Sequence, residues 1–424
     1  MNRRTFINHA AVAGTGVIVG PTIFNVVDTS QSTVRLALIG KGGMGTADVN
    51  TAIRVPGVEI VSVCDIYTPR LKEAQKQWGQ HLRLENDYRK ILEDDQVDAV
   101  IIATPDHWHQ KIAIEALKKG KHVYCEKPII HKRSEGKKLI KAQEESGKVF
   151  QMGTQGVSAV GTQMAKTLID AKVIGEINFV DAKFSAAPSP LHHFRPPADA
   201  TPEMIWWDQF LGDAPRVPFA PQRFFAWRNW RDYGTGLAGD LFVHVIASVH
   251  FITGCSKPNR VYSEGDILYY KDGSRDTPDV IYSLFDYQDE TANAHFKMSL
   301  GANIVDGVSK EWGSTNFKIM GSKGTMRVEW DTVTVETLQK VDDMPNVERK
   351  LKQVPGFGTM QQIKDTVYVF SAKPDFPDAH FLHFHNFVEA VRGGRPNAAP
   401  VTFGVDASSA ALLSFESQIK HQII

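Results

Sequence analysis

From Val34 onward, short apolar runs alternate with stretches in which apolar residues recur every three or four positions. VRLALIG is an apolar run of strand length ending on Gly40, and GMGTADVNTAIRV follows it as a helix. VEIVSVCD, VDAVIIAT, HVYCEKP and VFQMGTQ repeat the strand pattern, while LKEAQKQWG, HQKIAIEALKKG and SEGKKLIKAQEESG supply helices between them. Unbroken apolar strands imply burial on both faces. Their alternation with helices predicts an α/β domain, a doubly wound parallel sheet of the Rossmann type, over residues 33–152.

The rhythm then changes over residues 153–424. A helix is predicted over 160–172, then the strand EINFVDAKFSA, a Pro- and aromatic-rich stretch over 186–236, and the apolar helix GDLFVHVIASVHFITG. VIYSLFDY, ANAHFKMSLG, TNFKIMGSKGTMRVEW and TVTVETL follow as strands, with GSKG as a hairpin turn. The expectation is an α+β domain built on a large, open, mostly antiparallel sheet with helices on one face. Alternation in ANAHFKMSL sets Ala292, Ala294, Phe296 and Met298 on one side, expected to be the uncovered face where copies of the chain pair.

Composition narrows the function. The 424 residues carry 48 Lys+Arg against 48 Asp+Glu, so no charge surplus points to nucleic acid or an acidic membrane. Three cysteines are too few for a disulfide framework, and Cys64 and Cys125 sit inside apolar runs as expected of buried thiols. No apolar run approaches the roughly 20 residues of a spanning helix, so stable membrane insertion is not expected. The chain opens with Arg3-Arg4-x-Phe6-Ile7 and a weakly apolar run, a charged segment before an apolar one of signal length. This is similar to a twin-arginine export signal, with Asn2 and Asn8 in place of the usual Ser/Thr and Lys. Residues 1–31 are expected to be that signal and its linker, placing the protein in the periplasm or outside the cell.

GKGGMG places Gly40, Gly42 and Gly45 at dinucleotide spacing, directly after a strand and opening a helix. The first glycine allows the tight turn, the second lets backbone approach a pyrophosphate, and the third brings helix and strand together. Asp65 ends the second strand 20 residues after Gly45, where a carboxylate accepts ribose hydroxyls. Arg70 lies five residues beyond rather than adjacent, which favours NAD over NADP.

HVYCEKP sets Glu126 and Lys127 at the carboxyl end of a parallel strand, the edge where such sheets bind ligands. With VIIATPDHWH ending the preceding strand and WRNWRDYGTGLAGDLFVH downstream, the chain resembles the Gfo/Idh/MocA oxidoreductase family over nearly all its length after residue 31. The resemblance implies a cofactor site formed by Gly40, Lys41, Gly42, Gly43, Met44, Gly45, Asp65, Arg70, Thr104, Pro105, His109, Glu126, Lys127 and Gln155. It further implies Lys127, Asp240 and His244 as catalytic residues: Lys127 stabilises a developing alkoxide, His244 takes the hydroxyl proton, and Asp240 positions it or binds substrate. The spacing of Asp240 and His244 puts them on one helix face, but a helix cap and a satisfied core histidine fit the same pattern. The family's second Asp is here Ala247, so the substrate contact it supplies is missing or moved, and His250 lies off that face and does not replace it. His244 and His250 lack metal-ligand spacing on one face, so no metal site is expected.

Trp206, Trp207, Trp227 and Trp230 are interleaved with Arg223, Arg228 and Arg231, with His192, His193 and Arg195 upstream. The composition is suited to sugar rings and hydroxyls and also to a loop that needs large side chains to pack, which accounts for more than half of them. Arg228, Trp230 and Tyr233, with Asp240 and His244, are the candidate substrate contacts. The implied activity is hydride transfer at a sugar or polyol hydroxyl by an exported homodimer or homotetramer with tightly held NAD. A glycosidase using transient oxidation and a non-catalytic sugar-binding protein are the other readings. Lys127 favours the first.

Overall fold

The computed structural model describes residues 32–185, 195–290, 292, 294–306 and 316–424. The proposed export signal, together with His192 and His193, lies outside them. In the first domain, strands β1 (Val34–Ile39), β2 (Val58–Cys64), β3 (Arg83–Glu85), β4 (Ala99–Ile102), β5 (His122–Glu126) and β6 (Phe150–Gly153) form one sheet. Helices α1 (Gly43–Ala52), α2 (Thr68–Trp78), α3 (Tyr88–Leu92), α4 (Asp106–Lys118) and α5 (Gly136–Ser146) connect them. The strands are all parallel, in the order β3–β2–β1–β4–β5–β6. The order reverses between β1 and β4, so the loops after β1, β2, β4 and β5 gather at one crevice. The three-residue β3 carries no apolar run, and its place at the sheet edge comes from pairing with β2.

The second domain contributes β7 (Ile177–Ser185), β8 (Arg260–Asp266), β9 (Val280–Asp289), β10 (Ala294–Asn303), β11 (Asn316–Gly321), β12 (Gly324–Glu329), β13 (Thr332–Thr337), β14 (Phe357–Lys364) and β15 (Val367–Ala372). Its helices are α6 (Val160–Asp170), α7 (Trp207–Leu211), α8 (Pro221–Phe225), α9 (Val243–Thr253), α10 (Met344–Leu351), α11 (Ala379–Val391) and α12 (Val401–Lys420). The nine strands run β14–β15–β13–β12–β11–β7–β10–β9–β8. All neighbours are antiparallel except β7 and β10. GSKG closes the β11–β12 hairpin as expected.

One expectation is corrected. Phe296 and Met298 are buried in the core, and Ala292 and Ala294 pack against it. The uncovered face carries Tyr262, Tyr282 and Leu284 instead, beside Arg260, Asp286 and Lys297. Alternation fixes which residues share a face, but the helices decide which face is covered, and α9 and α12 are apolar enough to take the more apolar one.

The last two helices return to the first domain. Phe384, Phe387 and Val388 of α11 join the core beneath β1 and β4, with Phe384 stacked on Tyr124 of β5 at 4.2 Å. Helix α12 packs along α5 and β6. Among the described residues no helix is long and apolar enough to cross a membrane.

Candidate active site

A cavity of about 470 Å³ opens at the crevice between the two domains. Its floor is the glycine loop. Gly40 has φ +99°, and a Cβ there would lie 2.6 Å from the carbonyl oxygen of Ala103. A Cβ at Gly45 would lie 2.1 Å from the carbonyl oxygen of Gly40, so this glycine sets how closely α1 packs on β1. Gly42 and Gly43 line the cavity, and a Cβ on either would meet nothing within 4 Å. That bare backbone at a helix N-terminus suits a pyrophosphate.

Asp65 is 4 % exposed and lines the same cavity. Its Oδ2 accepts from the backbone N–H of Lys41 and its Oδ1 from that of Tyr67, both at 2.8 Å. Arg70 Nη1 stands 3.5 Å from Oδ2. The carboxylate is thereby fixed with lone pairs left for hydroxyl donors. Lys41 itself turns away, its Nζ lying 5.5 Å from the ring of Trp78.

Three strands across the sheet, Lys127 follows β5. Its Nζ donates to Asp240 Oδ1 at 2.7 Å and to the Asp240 carbonyl oxygen at 2.6 Å. The second carboxylate oxygen faces Arg228 Nε at 3.2 Å, close enough for an ion pair though not aligned for a hydrogen bond. Asp240 sits in a π-helical turn, Ala238–Phe242, that feeds directly into α9. Such wide turns re-aim side chains and recur at functional sites. Gly239 permits this one, because a Cβ there would fall 1.9 Å from Thr235 Oγ1. Thr235 is in turn held by Asp106 of α4, its Oγ1 donating at 2.7 Å and its N–H at 3.1 Å to Oδ2.

His244 lines the cavity with Lys127 and Asp240. Burial, with the Lys127 cation second, pushes its pKa down to about 3, so the imidazole is neutral at physiological pH. Glu126 is held the other way. Burial, then Asp48, pushes its carboxyl up to about 8, and Oε1 accepts from Gln155 Nε2 at 3.0 Å. His109 lines the cavity next to Thr104 and Pro105, its ring nitrogens 2.7 Å from the Pro128 carbonyl and 2.8 Å from that of Thr104. A neutral ring donates to only one of the two.

The structure therefore brings together around one cavity Gly40, Gly42, Gly43, Met44, Asp65, Arg70, Thr104, Pro105, His109, Glu126, Lys127, Gln155, Arg228, Asp240 and His244. Lys41 and Gly45 sit behind the loop, supporting it. Trp230 and Tyr233 do not line the cavity: Arg223 lies 3.8 Å over the Trp230 ring, and Tyr233 is fully buried against Phe210. Of the four clustered tryptophans only Trp227 lines it, with the Arg228 guanidinium 4.2 Å from its ring. His250 is a core histidine, its Nε2 2.9 Å from the Tyr287 hydroxyl.

Sequence reasoning missed Tyr88, Asp106, Trp108, Phe184, Gln209, Phe210, Phe224, Phe225 and Leu241 on the cavity wall. It also missed His380 of α11, whose Nε2 lies 2.9 Å from the wholly buried Asp48 of α1. Asp106 and Trp108 stand inside a motif already singled out, so a signal existed for them. Leu241 likewise stands beside Asp240 in WRNWRDYGTGLAGDLFVH, and Phe184 in the strand EINFVDAKFSA, whereas Tyr88, Gln209, Phe210, Phe224, Phe225 and His380 come from segments with no local signal of a site. Among the described residues no group of three or more His, Cys, Asp or Glu is arranged to hold a metal.

A parallel Rossmann domain, an open-sheet second domain and a Lys–Asp–His cluster in the crevice between them define a two-domain dehydrogenase-type fold. The chain belongs to the Gfo/Idh/MocA oxidoreductase family: the NAD-binding Rossmann model of that family matches residues 34–154 and its C-terminal alpha/beta domain model matches 212–422. Inositol 2-dehydrogenase of Salmonella typhimurium is 32% identical over 146 residues, 34% of this chain and 44% of that protein. The chain thus aligns with less than half the length of that relative. A glycosyl hydrolase family 109 protein of Shewanella pealeana is 29% identical over 155 residues, 30% of this chain and 34% of that protein. Levoglucosan dehydrogenase in complex with NADH and levoglucosan superposes with TM-score 0.69 at 18% identity, covering 93% of this chain and 99% of that one. The WlbA dehydrogenase of Bordetella pertussis in complex with NADH and UDP-GlcNAcA gives 0.66 at 18%, covering 93% and 97%.

Proposed function

We propose that this protein is an exported, NAD-dependent oxidoreductase acting on a hydroxyl-bearing carbon of a sugar, glycoside or polyol. The observation that carries the reading is one cavity holding both the glycine loop with Asp65 and the Lys127–Asp240–His244 cluster. When bound, the nicotinamide supplies the acceptor for the hydride leaving the carbinol carbon. The hydroxyl proton passes to the neutral imidazole of His244, leaving a carbonyl. Lys127 stabilises negative charge on the oxygen, and Asp240 fixes the ammonium in place. Relatives named as inositol and levoglucosan dehydrogenases support a polyhydroxylated substrate.

Export follows from the Arg3-Arg4 segment, and it bears on the cofactor. A nucleotide carried out of the cytoplasm inside a folded protein has no ready replacement, so the site holds NAD tightly and regenerates it within its own cycle. The glycosyl hydrolase relatives favour a second reading, a glycosidase that oxidises its sugar transiently. Lys127 is the residue that tilts the choice toward net oxidoreduction. The protein is further expected to pair through the open face of its large sheet, as a dimer or tetramer measurable by light scattering.

The test is to purify the full chain, release nucleotide by heat, and follow nicotinamide absorbance with a panel of inositols, anhydrosugars and glycosides. Bound NAD and a substrate-dependent absorbance change are expected. Absence of both overturns the reading, whereas a released aglycone without net absorbance change selects the glycosidase. Fractionation of cells with Arg3 and Arg4 intact or replaced by lysine tests export.

A further inference from the structure

The cavity wall around Asp65 is built by both domains. The segment from Asp199 to Thr235 belongs by sequence to the second domain, yet it crosses the carboxyl edge of the Rossmann sheet. At the β2–α2 loop, Thr68 N–H donates to the Met204 carbonyl and Trp206 N–H to that of Ile66, each at 3.0 Å. The Tyr67 hydroxyl donates to Asp199 Oδ1 at 2.6 Å. At α4, Trp108 Nε1 donates to the Phe210 carbonyl at 2.9 Å, and Asp106 holds Thr235. The segment is therefore a belt tied down at both ends.

Between those ties α8 lays Phe224 and Phe225 over the end of β2. The Arg70 guanidinium lies 5.6 Å from the Phe224 ring, 5.5 Å from Phe225 and 5.6 Å from Tyr67. Tyr67 and Phe225 meet edge to face at 5.3 Å. Phe224, Phe225 and Arg70 line the cavity beside Asp65. Phenyl faces and a guanidinium plane beside a carboxylate match adenosine: a flat heteroaromatic base joined to a ribose with two hydroxyls.

We propose that the adenosine end of the dinucleotide is clamped between the domains by Arg70, Phe224 and Phe225, so that it leaves only when the belt parts from the β2–α2 loop. The inference rests on the NAD reading above and assigns the retention to a named element. No part of it depends on the sugar.

The experiment loads the full-length protein with NADH and chases it with excess NAD, reading loss of bound-NADH fluorescence in the absence of any substrate. Slow release is expected from the unmodified protein. Phe225→Ala removes a wall and Tyr67→Phe removes the hydroxyl tie; each is expected to speed release by about tenfold or more, chiefly through the dissociation rate. Phe225→Leu, which keeps bulk but loses the ring, serves if the alanine variant does not fold, with a smaller rise expected. Release within the mixing time from the unmodified protein, or unchanged release from the folded variants, overturns the clamp and leaves the NAD reading intact. Failure to bind NADH at all overturns both.

Discussion

Lys127→Met keeps the side-chain length and removes the charge, and two separable losses follow. The first is structural. Lys127 Nζ gives two hydrogen bonds to Asp240, and the paired side chains are only 11% and 9% exposed. Deleting one member of a buried ion pair costs about 3–5 kcal/mol because the other charge is stranded. Arg228 Nε still faces the second carboxylate oxygen at 3.2 Å, so the lower end, about 3 kcal/mol, is expected. The second loss is catalytic: removing a donor aimed at a developing oxyanion lowers the rate by about 100- to 1,000-fold. Combining Lys127→Met with Asp240→Asn separates the two. The double variant strands no carboxylate, so most of the stability returns while the rate stays low. Urea denaturation reads the first quantity, and single-turnover nicotinamide absorbance, with whichever substrate responds in the panel, reads the second. Two results refute the reasoning: a wild-type rate in the folded fraction of Lys127→Met, or recovery of rate along with stability in the double variant.

The remaining predictions concern other members of the site. His244→Ala is expected to slow hydride transfer by about 100- to 10,000-fold with little change in NADH affinity, since His244 lines the cavity with Lys127 and Asp240 and has no place in the glycine loop, at Asp65 or in the Arg70–Phe224–Phe225 wall; a stable, fully active variant would end its role as base. Asp65→Ala should weaken NAD binding by about 1.5–3 kcal/mol, the scale of lost charged hydrogen bonds, and unchanged affinity by calorimetry would remove Asp65 from the ribose. Glu126 has its native pKa raised from 4.5 to about 8, so between those values the native state keeps a proton that the unfolded chain has lost. Its contribution to stability therefore falls as pH rises through that window, by up to about 1.4 kcal/mol per pH unit. Glu126→Gln cannot ionise and should gain stability relative to wild type between about pH 5 and 8; melting curves that stay parallel across that range would contradict the assignment.

Much of the cofactor side was legible in the sequence because its signals are local. The glycines at 40, 42 and 45 answer to backbone sterics within one turn, and Asp65 is placed by the length of one βα unit. Apolar runs bounded by turns gave the parallel sheet, since a strand buried on both faces needs no knowledge of its neighbours. The segment from Asp199 to Thr235 was opaque for the opposite reason. Its aromatic residues suit sugar binding and packing equally, and only tertiary contacts separate Trp227 on the cavity wall from Trp230 beneath Arg223.

The amino-acid sequence by itself carried the two-domain plan, the glycine loop and the acidic end of β2, because each depends on residues close in the chain, where helix period, strand alternation and glycine's steric freedom act directly. Lys127, Asp240 and His244 entered as candidates through the family resemblance, since their local spacing fits a helix cap and a core histidine equally well. Tertiary structure decided what those residues meet. It chose which face of the large sheet is covered, widened the turn at Asp240 into a π-helix that sets the carboxylate against Lys127, and set the half-buried His244 on the cavity near the Lys127 cation, where desolvation and that charge lower its pKa. It brought α11 and its His380 back to Asp48, 332 residues away in sequence, and drew the belt across the crevice. Such contacts join segments with no shared local pattern, and they form only because burying their apolar surfaces together outweighs the entropy of closing the long loops between them.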